Sequence, residues 1–164
     1  MSGRSLPEIL RQLSCLAEIR GSSDAAALRA AVGLVDALPL HGQAAMIQDL
    51  HAGKPAPVQL APAAEKVLHD LAAQGAEAVL ASARLRIPTL IRGLLEASTL
   101  THDQAVKLAR DVGVVTLPDL RAALADGRVE RLLPDRAEPL AAAASTSPDP
   151  CRSSGGIQAR PACE

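Results

Sequence analysis

The sequence predicts an all-α protein of about eight short helices. Three observations predict it. The 164 residues contain no Phe, Tyr or Trp, yet 48% are hydrophobic, so the apolar content is Ala, Leu, Val and Ile. Ala and Leu favour helix, and the aromatics that favour strands are missing. No segment alternates apolar and polar residues long enough for a strand, whereas apolar residues three and four apart recur along most of the chain.

The elements follow in order. In LPEILRQLSCLAEIRG, Leu6, Ile9, Leu10, Leu13 and Leu16 share one helical face, with Pro7 near the start and Gly21 at the end. Ser22, Ser23 and Asp24 offer an N-cap to a helix striped by Leu28, Ala31, Val32, Val35 and Leu38, which Pro39 ends. A weaker helix covers residues 43–50, before Gly53 and the Pro55–Pro57 segment. The next opens at Pro62, carries Val67, Leu68 and Leu71, and stops at Gly75. Short helices over 76–83 and from Pro88 through Leu95 come next. Thr101 with Gln104 three residues on is a capping box, closed by Gly113. Thr116, Asp119 and Gly127 repeat that device, and a last turn, RVERLL, stops at Pro134.

Residues 136–164 are rich in Ala, Ser, Pro and Gly and lack periodicity, so a disordered tail is expected there. The organisation expected is therefore a helical subdomain over 1–78, a second over 79–135, and that tail.

Charge and cysteine usage narrow the class. Seventeen Lys and Arg against 18 Asp and Glu give a net charge of −1, which excludes a globally basic coat but permits a local basic face. No apolar run approaches the ~18 residues of a membrane span. Glu8 and Arg11 interrupt the place where a signal peptide would be apolar, so a cytoplasmic location is expected. Three cysteines without a Cys-x-x-Cys pair predict neither a disulfide framework nor a zinc site. Cys15, between leucines, reads as a small buried hydrophobe. His41, His51, His69 and His102 form no i,i+4 pair, so neither a metal nor another cofactor is expected.

The order of elements resembles the N-terminal region of family X DNA polymerases, a lyase-like helical domain followed by a fingers-like one. Residues 5–133 lie along that pattern. ALRAAVGLVDALP follows the family's second helix, LAPAAEKVLHDLAAQG its first helix-hairpin-helix, and IPTLIRGLLEASTLTHDQAVKLARDVG its second. The stretch from Ala109 to Leu132 matches best. The resemblance implies two helix-hairpin-helix-like subdomains that hold DNA phosphates on the backbone N–H groups of Gly-x-Gly turns.

The hairpin glycines are replaced here, by Pro62 and Ala64 in the first and by Thr99 and Thr101 in the second. Asp70 stands where lyase-competent relatives carry the Schiff-base lysine, and Lys66 matches a DNA-contacting position. The palm with its metal-binding aspartates is absent, and no Asp-x-Asp occurs. The resemblance thus implies a non-catalytic, sequence-independent DNA-binding module, related to repair, needing no cofactor. The contacts expected are Lys66, Arg84, Arg86, Thr99, Thr101, Lys107 and Arg110. The alternative is a helical protein-interaction or structural module, or a degenerate polymerase fragment, that has lost DNA binding. Missing aromatics disfavour single-strand binding by base stacking.

Overall fold

The computed structural model describes residues 5–146, and these are helical with no strand among them. The helices are α1 (Leu6–Ile19), α2 (Asp24–Asp36), α3 (Leu40–His51), α4 (Pro62–Gln74), α5 (Ala76–Arg84), α6 (Thr89–Glu96), α7 (His102–Arg110), α8 (Leu117–Ala125), α9 (Arg128–Leu132) and α10 (Ala137–Thr146). A 3-10 turn, Pro134–Arg136, precedes α10. No helix among the described residues is long and apolar enough to cross a membrane.

The predicted capping boxes and turn glycines do much of the starting and stopping. At α2, by contrast, the cap-position Ser23 makes no side-chain cap hydrogen bond, and Ser22 Oγ accepts instead from the Asp24 N–H at 3.3 Å. Ser5 caps α1, its hydroxyl accepting from the Glu8 N–H at 3.4 Å. Both capping boxes form. Thr101 Oγ1 accepts from the Gln104 N–H at 3.3 Å while Gln104 Oε1 accepts from the Thr101 N–H at 3.0 Å. At α8, Asp119 Oδ2 accepts from the N–H groups of Val115 and Thr116 and from the Thr116 hydroxyl. Those donors favour its carboxylate, so its pKa is lowered, first by the Thr116 hydroxyl and then by the two backbone N–H groups. Gly75 joins α4 to α5 at φ +83°, a left-handed conformation that a β-carbon disfavours.

One buried cluster runs from Ile9 to Ala144, built almost wholly from Leu, Ile, Val and Ala. Helix α1 is the hub, packed against α2, α5 and α7. Helix α4 packs on α2, α3 and α5, and α6 on α7. Leu10, Leu68, Leu80, Leu108 and Leu120 are fully buried. Without aromatics, stabilisation is spread over many small side chains, and truncating any of these leucines to Ala costs about 2–5 kcal/mol.

The boundary of the expected tail moves. Residues 137–146, expected to belong to it, form α10 and pack on α8 with Leu140 and Ala144 buried. A run of alanines is a strong helix former, and Leu140 and Ala144, four apart, make one apolar stripe. Pro139 is accommodated because it lies in the first turn, where an N–H lacks an intrahelical acceptor. Arg121 of α8 then donates through Nε and Nη2 to the Ala144 carbonyl, at 3.2 and 3.1 Å, holding the last turn. The remainder of the expected tail, with Cys151 and Cys163, lies outside the described residues.

Candidate nucleic-acid interface

The seven residues singled out from sequence fall in five places. Lys66, on α4, and Arg86, just beyond α5, line one cleft of about 580 Å³ between α1, α2, α4 and α5. Arg84 ends α5, half-buried, where a cation complements the C-terminal end of the helix dipole. Thr99 and Thr101 form the α6–α7 turn. Lys107 lines a second cleft, of about 480 Å³, between α1, α2 and α7.

Arg110, in the last turn of α7, reaches back to the turn after α1. A β-carbon built on Gly21 would lie 3.1 Å from Arg110 Nη1, and Gly21 has φ +73°. Glycine at this point therefore serves both the turn and the approach of a guanidinium.

The first cleft gathers charge over an apolar floor that includes Leu13, Leu16 and Leu28. Its cations are Arg20, Lys66 and Arg86; its acids are Asp24 and Asp70. Lys66 Nζ donates to Asp70 Oδ2 at 3.0 Å, an i,i+4 pair on the exposed face of α4. Asp24 accepts from the Ser22 hydroxyl at 3.0 Å. Arg20 and Arg86 are exposed and make no ion pair among the described residues. Arg20, the C-cap of α1, escapes a reading by sequence neighbourhood because the residues it joins are more than forty positions away. Its signal was the position itself, a cation at the end of a helix whose next residue is a turn glycine.

The α6–α7 turn is built differently. Its backbone donors are engaged internally: the Ser98 N–H to the Leu95 carbonyl at 3.1 Å, and the Thr99 and Leu100 N–H groups to the Leu94 carbonyl at 3.0 and 3.4 Å. The Thr101 N–H goes to Gln104 Oε1. Leu100 is buried beneath the turn. The left-handed residue is Ser98, at φ +55°, whereas Thr101 has φ −79°. Neither threonine thus occupies a conformation that demands glycine, and a phosphate on these N–H groups would have to displace acceptors already in place.

By contrast, α4 opens at Ala61–Pro62 with no side-chain cap. Among the described residues no three His, Cys, Asp or Glu side chains converge on a metal-binding geometry. Compared with protein-family models, with curated proteins and with solved structures, the chain matches none.

Proposed function

We propose that this protein is a non-catalytic module that binds DNA through backbone phosphates without reading base sequence, and that the α1–α2–α4–α5 cleft is its seat. The observation that carries the reading is the convergence of Arg20, Lys66 and Arg86 on one open cleft, with Arg20 and Arg86 making no ion pair among the described residues. Guanidinium groups pair bidentately with phosphate oxygens, and an ammonium adds a point charge. Exposed cations on helix ends and faces suit contact with backbone phosphates, which position a protein on the duplex but carry no sequence information. The likeness in helix order to family X polymerases supports DNA as the polymer.

Binding is favoured over lyase chemistry. An amine nucleophile attacks through a free lone pair, and Lys66 is engaged as a donor to Asp70. With Asp70 at the position where such relatives carry the reactive lysine, the cleft lacks that group.

A helical protein-interaction module is the second reading. Leu40 and Leu85, 78% and 71% exposed, favour it, since large apolar side chains that open to water suit a partner surface. Salt separates the two. Three phosphate contacts give a log–log slope near −2.7, so affinity for a labelled gapped duplex should fall about fortyfold between roughly 50 and 200 mM salt. Binding that ignores salt, or a helical protein that binds no DNA at low salt, would sink the DNA reading.

A further inference from the structure

The second cleft has a composition that DNA binding at the first does not use. We propose that it is a binding site for a small organic phosphate, a phosphomonoester with a compact apolar or polyol group. Three helical stripes build it: Arg11, Ser14, Cys15 and Glu18 on α1, Arg29 and Val32 on α2, and Asp103, Val106 and Lys107 on α7. Spacings of three and four residues put each set on one face of its helix.

The charges in the cleft are three cations and two carboxylates. Glu18 is matched by Arg29 in a short ion pair. Asp103 Oδ1 accepts from the Cys15 thiol at 3.5 Å. Arg11 and Lys107 are left on facing helices with no protein partner among the described residues. Ser14 lies beside them, only 3% exposed, and makes no hydrogen bond among the described residues. Its Oγ is not among the fully enclosed unpaired atoms, so the small exposed part of Ser14 includes the hydroxyl, which opens on the cleft and is available to donate.

A guanidinium, an ammonium and a hydroxyl together offer donors to the three terminal oxygens of a phosphomonoester, whose charge near pH 7 is about −1.5 to −2. The cleft, at about 480 Å³, is larger than a bare ion needs and is within the range of small-molecule sites. Val32 and Val106 give the organic group an apolar wall. Burial, with Asp103 beside it, pushes the Cys15 thiol up to about 11, so no thiolate opposes the phosphate there.

The test is an amide chemical-shift titration of the full chain with glycerol 2-phosphate, with glycerol as the control. Saturable shifts are expected at residues 11–18 and 103–107, and none with glycerol. Ser14→Ala should weaken binding about tenfold, the effect of one hydrogen bond to a charged group, and Lys107→Met by at least as much. Lys66→Ala with Arg86→Ala, in the other cleft, should leave the affinity unchanged. Absence of saturable shifts in the wild-type protein overturns the proposal. So does wild-type affinity in Ser14→Ala and Lys107→Met proteins that remain helical by circular dichroism. Loss of binding on changing the first cleft alone would overturn it too.

Discussion

The entries to α4 and to α7 both lead on from a preceding helix, the first through the extended segment 52–61 and the second through the short turn 97–101, and they differ in what they leave available. The α6–α7 turn closes on itself: Thr101 and Gln104 exchange hydrogen bonds, and the preceding N–H groups return to α6. The α4 entry, at Ala61–Pro62, has no side-chain cap, but it stands beside a cleft that carries Arg20, Lys66 and Arg86. A turn rich in its own caps is a stable corner and a poor anion site, because every donor it commits inward is withdrawn from a ligand. A turn poor in caps leaves recognition to side chains. The comparison favours the first corner as the seat of the proposed phosphate contact and gives the second a structural role.

The largest effect expected follows from removing cations at the first corner. Lys66→Ala with Arg86→Ala should lower affinity for a gapped duplex more than tenfold at low salt and reduce the salt slope by about two. Anisotropy titrations with the label on the DNA read both quantities, and the chain's lack of Trp and Tyr does not interfere.

Thr101→Ala probes the other corner. It should cost about 1 kcal/mol of stability, the usual loss of an N-cap, and leave DNA affinity unchanged. Thermal unfolding followed by circular dichroism gives the first number. A fall in affinity comparable with that of the cleft variant would collapse the distinction between the two corners.

Asp70→Asn sharpens it from the opposite direction. Losing the carboxylate frees Lys66 Nζ from its 3.0 Å pair and removes a charge that repels phosphate. Affinity should rise a few fold, since exposed ion pairs of this kind are worth ~0.2–1 kcal/mol. An unchanged affinity would place Lys66 outside the contact.

The smallest effect is in acid. Asp119 has its folded pKa depressed by the Thr116 and Val115 donors. The unfolded chain then binds the proton more readily, so the carboxylate's contribution is present above the unfolded value near 4 and is lost as pH falls through the folded one. Stability curves of the wild type and Asp119→Asn should converge at low pH and separate towards neutrality. Parallel curves would mean that the cap contributes nothing.

Much of this architecture is legible in the sequence because its signals are local. The boxes at Thr101 and Thr116, the turn glycines at 21, 75, 113 and 127, and the leucine stripes each need only a few neighbouring residues to be recognised. Helix α10 was obscured because its composition suits both a tail and a helix; Leu140 and Ala144 decide the matter only once α8 offers a surface.

The candidate interface is less legible. Lys66 and Arg86 stand out as cations, but Arg20 joins them through packing of α1 on α5 and of α2 on α4. The state of the α6–α7 turn was equally hidden, since Thr99 and Thr101 read as lost glycines until the φ of Ser98 showed which residue makes the left-handed step.

The central claim is that phosphate meets this protein at the first cleft and not at the α6–α7 turn. The most direct test is an amide chemical-shift map of the full chain with a short gapped duplex at low salt. The predicted result is a set of salt-sensitive shifts around Arg20, Lys66 and Arg86, with residues 98–104 undisturbed. Shifts concentrated at 98–104, with the cleft silent, would contradict it.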